Sequence, residues 1–262
     1  MAGLETLRVR SGGPARLDRR DPAEDLGWDK EEARRSLQEE KGRLAELQTR
    51  LYARGKGAVL LVLQGMDTSG KDGTIRHVLS GVNPQGCQTT AFKTPCAEEL
   101  AHDYLWRVHQ RVPAYGHIGV FNRSHYEDVL IARVRRLVPP SVWRARYRQI
   151  NAFERHLSEC GVTLLKCCLH ISKDEQLRRL RRRRTDPAKR WKYNPGDMAE
   201  RKLWTAYQKA YEEALSRCST PQAPWYVIPA DRKWVRDLAV ARLLRRALER
   251  SLAYGAGRRD LL

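Results

Sequence analysis

The stretch AVLLVLQGMDTSGK, Ala58 to Lys71, decides the fold. Ala58 to Leu63 are apolar without interruption, the pattern of a strand buried on both faces. Gly65, Gly70 and Lys71 then satisfy G-x-x-x-x-G-K, a loop that aims successive backbone N–H groups at one anion. A helix-capable segment follows, and the positive end of its dipole adds to the same attraction. Gly65, Ser69, Gly70, Lys71, Asp72, Gly73 and Thr74 are therefore candidate phosphate-binding residues. Position 72 is Asp, where a Ser or Thr hydroxyl would ordinarily reach magnesium. A metal then needs a carboxylate, and Asp67 inside the loop is the candidate. A glycine-rich turn that binds nothing is the plainer alternative, but strand, spacing and lysine agree with one another.

Outward from this loop, composition sets bounds. The chain has 262 residues, 41% of them hydrophobic, enough for a substantial core in one large domain or two small ones. No apolar run approaches the ~20 residues of a membrane span, and the N-terminal MAGLETLRVRSGG has no apolar signal core. A cytoplasmic protein is expected. Fifty Lys and Arg against 31 Asp and Glu give a net charge of +19, which favours polyanions. Arg far outnumbers Lys, either for bidentate phosphate contacts or through a GC-rich genome. The six cysteines form no C-x-x-C and no zinc spacing, and are expected to be reduced and buried.

Residues 1–28 are rich in Arg, Gly and Asp and are expected to form an extended or loosely packed arm. Asp29 is placed to cap a long helix over Lys30–Arg54. Strands are predicted at Ala58–Leu63, Cys87–Phe92, His117–Phe121, Val162–His170 and Trp225–Ile228. Helices are predicted at Asp72–Ser80, Ala97–Gln110, His125–Arg136 with Ser141–Cys160, Lys173–Ser216 and Arg232–Leu252. This alternation implies an α/β fold with a five-stranded parallel sheet covered on both faces. Ligands then sit at the carboxyl ends of the strands. Residues 29–252 form the single predicted domain, and 253–262 a frayed tail.

The third strand ends in FNRSHYED, Phe121 to Asp128. Arg123 can neutralise a migrating phosphoryl group, and Glu127 and Asp128 can hold Mg²⁺ or orient an acceptor. Ser124, Glu127 and Asp128 would also suit a capped helix start, which leaves Asn122 and Arg123 unexplained. Arg133, just beyond, is a further phosphate-binding candidate. Arg178 to Lys192 carries nine basic residues and one acid, split by Asp186-Pro187. It reads either as a lid closing over phosphates, at about 174–200, or as a solvated basic face. Arg178, Arg182, Lys189, Arg190 and Lys192 are its candidate contacts. Lys93 and Thr94 follow the second strand and form either a capped turn or a nucleotide contact. Arg232 and Lys233 either close the site from the fifth strand or open the last helix. His125 is a weaker candidate for a general base.

GMDTSGKDGTI, GVNPQG, FKTP…EELAHDYLWRVH, FNRSHYEDVL, KRWKYNPGD and APWYVIPADRKW, in this order, resemble the polyphosphate kinase 2 family from about Asp29 to Arg250. The resemblance implies a P-loop kinase-like three-layer sandwich with a helical Arg-rich lid. It implies reversible transfer of phosphoryl groups between inorganic polyphosphate and AMP, ADP or ATP. The metal it implies is Mg²⁺, with Mn²⁺ as a substitute, and the assembly a homo-oligomer, dimer or tetramer. Asp67, Lys71, Arg123 and Asp128 match its catalytic positions, with Asp67 and Asp128 as metal ligands. Lys93, Thr94, Asn122 and Glu127 fall to the nucleotide. Diphosphate-restricted members tend to carry Asn where this chain has Glu127, so it is similar to the AMP/ADP-phosphorylating subgroup, class III. An ATP-dependent nucleoside monophosphate kinase is the rival reading. No DNA- or RNA-reading motif is present to support a nucleic-acid binder.

Overall fold

The protein is described here from a computed structural model, which describes residues 2–192, 194 and 196–254. The element order is α1 (Ala2–Thr6), α2 (Lys30–Arg54), β1 (Ala58–Gln64), α3 (Lys71–Val78), β2 (Cys87–Ala91), α4 (Ala97–Leu100), α5 (Trp106–His109) and β3 (Ile118–Asn122). Then come α6 (Ile131–Val134), α7 (Pro140–Glu159), β4 (Val162–His170), α8 (Lys173–Thr185), α9 (Gly196–Lys202), α10 (Trp204–Arg217), β5 (Trp225–Pro229) and α11 (Lys233–Tyr254). The strands form one five-stranded sheet in the order β2-β3-β1-β4-β5, with every pairing parallel. β1 lies at the centre, and all its residues are buried. α11 covers β1, β4 and β5 and packs on α2 and α3, while α7 covers β4. α2 begins as expected, with Asp29 Oδ1 accepting from the backbone N–H groups of Glu31 and Glu32 at 2.9 Å each.

The order of strands reverses about β1: β2 and β3 lie on one side of it and β4 and β5 on the other. The loop after β1 therefore opens at the switch point of a parallel sheet, where ligands collect.

Several expectations change. The N-terminal segment is packed rather than loose: Leu4, Leu7, Val9, Ala15 and Leu17 are buried in the core. Arg8 bridges Tyr226, so this segment covers β5, which would otherwise be an open sheet edge. The long helix predicted over 97–110 divides into α4 and α5, because the Asp103 carboxylate accepts from Leu105 N–H and turns the chain between them. The helical segment predicted over 173–216 breaks at Asp186-Pro187 as the sequence indicates, since proline cannot continue α8, and is interrupted again at Leu203 between α9 and α10. At the other end α11 carries ordered helix to Tyr254; the rest of the predicted tail lies outside the described residues. Not all cysteines are buried. Cys167, Cys168 and Cys218 are, Cys87 is half-buried, and Cys96 and Cys160 are exposed, all six as free thiols.

Candidate active site

The loop Gly65–Gly70 is held in shape from below and from one side. Thr68 and Gly70 adopt left-handed backbone angles, φ 65° and 108°. Arg179, on α8, donates to the carbonyls of Thr68 and Ser69 at 2.9 and 3.1 Å, and to those of Ala230 and Asp231 at 2.7 and 3.0 Å. Arg236, buried on α11, donates to Ser69 O at 3.4 Å and is neutralised by Asp237 at 2.8 Å. Both arginines use their charge to fix carbonyls; within the loop the Ser69 N–H donates to Met66 O at 3.0 Å, and an anion is left to the other loop amides. Neither role was read from the sequence, because the loop carbonyls lie more than a hundred residues from either arginine.

Lys71 opens α3, buried, its Nζ donating to Gly65 O at 2.7 Å. Burial pulls its ammonium below the ordinary lysine range; Asp67 opposes that pull and Arg123 adds to it. Arg123, at the end of β3, takes a left-handed φ of 63°, a strained angle for a residue with a side chain. Its N–H donates to Leu63 O at 3.0 Å, which locks the turn, and its Nη2 reaches Asp67 Oδ1 at 3.0 Å. Burial works against the guanidinium, but Glu127 and Asp67 keep it firmly charged.

Two cavities meet at this pair. The larger, about 610 Å³, is lined by Gly70, Lys71, Asp72, Gly73, Lys93, Thr94, Asn122 and the lid residues Arg183, Asn194 and Asp197. The smaller, about 270 Å³, is lined by Gly65, Glu127, Arg135, Gln176, Tyr207 and Tyr211. Asp67, Arg123, Asn194 and Asp197 line both. Asn122 Nδ2 donates to Asp72 Oδ1 at 2.8 Å in the first, and Gln64 Nε2 to Glu127 Oε1 at 2.9 Å in the second. The candidate nucleotide residues thus divide, with Lys93, Thr94 and Asn122 in one cavity and Glu127 in the other.

Several candidates lie elsewhere. Asp128 lines neither cavity; its carboxylate accepts from Arg146 at 3.2 Å. Burial raises the Asp128 carboxyl above its ordinary range, with Arg146 opposing. The short 3₁₀ turn His125–Asp128 points Glu127 and Asp128 in different directions, which a straight helix reading did not foresee. Arg133 pairs with Glu213 at 2.6 Å and stacks on Trp143, away from the loop. Ser69 and Thr74 are fully buried behind the loop rather than facing the cavity. His125 is fully buried, its Nε2 3.2 Å from Glu154 Oε1, so it cannot meet a substrate as a base.

The lid is likewise rearranged. Arg178 pairs with Glu175, Arg182 with Asp186 at 3.6 Å, and Lys189 with Asp186 at 2.5 Å. Arg190 is exposed, and the Lys192 side chain lies outside the described residues. The basic residue of α8 that reaches the cavity is Arg183, tied to Asp197 at 3.1 Å. Burial and the nearby Asp67 raise the Asp197 carboxyl, and Arg183 opposes them. Arg232 pairs with Asp25 at 2.8 Å, and Lys233 opens α11 and lines neither cavity, its ammonium lowered by burial and by Arg179 and Arg236.

Beneath the site Glu154, on α7, joins fully buried groups. Its carboxylate accepts from Lys166 Nζ at 2.5 Å and Tyr126 Oη at 2.8 Å, and Lys166 also donates to Cys218 O at 2.6 Å. Burial disfavours the Glu154 carboxylate, yet Lys166 and His125 hold it below the ordinary range. This network anchors the turn that carries Arg123 and Glu127.

A central strand, an anion-cradling loop, a buried lysine and an arginine-bearing lid define a P-loop phosphotransferase. The family described as Polyphosphate kinase 2 matches residues 27–254. The AMP/ADP-polyphosphate phosphotransferase of Meiothermus ruber is 51% identical over 94% of this chain and 93% of its own length. The ADP-polyphosphate phosphotransferase of Rhodopseudomonas palustris is 48% identical over 79% of this chain and 76% of its own. The crystal structure of polyphosphate kinase 2 from Arthrobacter aurescens TC1 superposes with a TM-score of 0.91 at 45% identity, over 99% of this chain and 93% of that one. The chain belongs to the polyphosphate kinase 2 family.

Proposed function

We propose that this protein transfers phosphoryl groups reversibly between inorganic polyphosphate and AMP or ADP, giving ADP and ATP. The observation that carries this reading is the Asp67–Arg123 pair on the wall shared by the two cavities. Two phosphate-bearing substrates entering from opposite sides would meet there. A terminal phosphate oxygen of the nucleotide attacks the terminal phosphorus of the chain. The bridging P–O bond breaks, and its electron pair leaves with a polyphosphate one unit shorter. Arg123 offsets charge on the migrating group, Lys71 and the loop amides hold the phosphates in line, and Arg183 closes over them. No covalent intermediate on the protein is required.

The residues fit a divalent metal of the magnesium type. Among the described residues no group of three or more His, Cys, Asp and Glu could hold an ion. Mg²⁺ needs no such cage, since it is commonly held by one or two carboxylates with substrate phosphates and water. Asp67 is the carboxylate placed to hold it, with Mn²⁺ as a substitute. Bound there, the metal would neutralise developing charge on the phosphate oxygens. Asp128 is not part of this reading.

Glu127 in the smaller cavity supports use of AMP as well as ADP, in line with the name of the Meiothermus ruber relative. We also infer action in the cytoplasm as a dimer or tetramer, which light scattering would check. No helix among the described residues is long and apolar enough to cross a membrane.

The test is a coupled ATP assay with purified protein, Mg²⁺, long-chain polyphosphate and either AMP or ADP. ATP from both acceptors is expected. ATP from ADP alone would overturn the use of AMP. Transfer with ATP as the sole effective donor would overturn polyphosphate as substrate and favour a nucleoside monophosphate kinase.

A further inference from the structure

A third cavity, of about 860 Å³, lies outside the catalytic machinery, lined by Arg8, Arg10, Arg16, Arg20 and Pro221 among others. It shares no lining residue with the two cavities at the loop. Apart from Pro221, its lining residues precede the part of the chain matched by the family. It is nevertheless firmly built. Val9 N–H donates to Trp225 O and Val227 N–H to Leu7 O at 2.8 Å each, which fixes the strand-like stretch on β5. Arg20 staples the loop by donating to Ala15 O at 2.8 Å and Thr6 O at 2.9 Å.

Its charges are unequal in their commitments. The carboxylates at hand are already used: Glu5 pairs with Arg246 at 2.8 Å, and Glu212 accepts from the N–H groups of Arg16 and Leu17 at 2.9 and 2.8 Å. Arg20 is consumed by backbone carbonyls. Arg8, Arg10 and Arg16 are exposed, and no carboxylate among the described residues forms an ion pair with their side chains. The left-handed φ of 55° at Arg16 turns this part of the loop tightly, and a bulky side chain there is costly without a use. Three uncompensated guanidiniums around one concavity repel each other, and that repulsion is relieved by an anion with several phosphates.

The same segment is coupled to the catalytic loop. Pro22 O accepts from Asp231 N–H at 3.0 Å, and Asp231 O accepts from Arg179, which clamps Thr68 and Ser69.

We propose that this cavity is a second, non-catalytic binding site for inorganic polyphosphate, holding part of a long chain while another part occupies the catalytic cleft. The proposal rests on the reading of polyphosphate as substrate. A chain long enough to occupy both gains avidity from the second contact, whereas a short one gains nothing.

The experiment compares the full chain with Arg8→Ala/Arg10→Ala/Arg16→Ala, and with the matching triple Lys variant, which keeps the charge. Steady-state kinetics use long-chain polyphosphate and linear tetraphosphate as donors, and thermal melts confirm folding. For long chains the Ala variant should raise KM about tenfold or more, and its log–log salt slope should shrink by roughly one per arginine engaged. KM for tetraphosphate, KM for nucleotide and kcat should hold, and the Lys variant should recover most of the loss. An equal rise of KM for both donors, or no rise for either, would overturn the site. So would a nucleic-acid duplex that displaces labelled long-chain polyphosphate at lower concentration than unlabelled polyphosphate does. A wild-type protein inactive with both donors would refute the substrate reading itself, a different result from any of these.

Discussion

Gly70 and Arg236 share one space: a Cβ on residue 70 would overlap Arg236 Nη1 and lie 2.9 Å from its Cζ. The loop glycine is small so that a buried arginine can hold the loop from beneath. Gly70→Ala must either push Arg236 off Ser69 O or distort a backbone already at φ 108°. We expect a loss of about 2–4 kcal/mol in stability and a large fall in kcat, read from chemical denaturation and steady-state turnover. A variant with wild-type stability and rate would show that the contact does not matter.

Lys71→Ala should lower kcat about 1,000-fold, the upper range for one oriented donor, while the melting temperature changes little. The sign of the pH effect follows from burial. The ammonium is the phosphate-binding form, and its folded pKa lies below the unfolded 10.5. Its proton is therefore lost earlier in the substrate-free enzyme than in a free lysine. The alkaline limb of kcat/KM should fall below pH 10.5, and bound phosphate should move the limb of kcat upwards. Conversely, this group's contribution to stability improves as pH rises through its folded pKa, because the fold favours the neutral amine.

The two aspartates separate by position. Asp67→Asn should cut metal-dependent turnover by about two orders of magnitude or more and weaken the dependence on Mg²⁺. Asp128→Asn removes one partner of Arg146 and should act mainly on stability, with kcat within a few-fold of wild type. Equal losses of kcat at both positions, with Mg²⁺ dependence altered in both, would restore Asp128 to the metal site.

Glu127→Asn should lower the ratio of AMP to ADP use. The change removes a carboxylate that accepts from Gln64 at 2.9 Å in the smaller cavity, and it leaves Lys71 and Arg123 in place. Competition between the two acceptors in one assay is the measurement. An unchanged ratio would take acceptor choice away from this residue.

Glu154→Gln leaves the Lys166 ammonium buried without its carboxylate, and should cost about 3–5 kcal/mol in denaturant unfolding. Glu154→Leu with Lys166→Met removes both charges and should recover much of that loss. A double variant as unstable as the single one would show that packing, rather than charge pairing, dominates beneath the site.

Much of this was legible in one dimension. The apolar run Ala58–Leu63 has no polar face, so it needs cover on both sides and a parallel sheet follows. The spacing of Gly65, Gly70 and Lys71 fixes an anion loop because successive amides and a helix start must lie within a few residues. Asp29 as a cap and Asp186-Pro187 as a break are equally local, since a helix end depends on its own neighbours.

Tertiary structure decided what distance along the chain conceals. Asp67 meets Arg123, Arg236 meets Gly70, and Arg179 spans two loops, all across the sheet's switch point. It also chose Arg183 rather than Arg182 for the cavity, because one residue along a helix turns a side chain by about 100°. In the 3₁₀ turn His125–Asp128, with about three residues per turn, neighbouring side chains also diverge, and Asp128 goes to Arg146 while Glu127 faces the cleft. The sequence determined which chemistry is present. Only the folded chain decided which charges face a substrate and which are consumed in holding the loop that binds it.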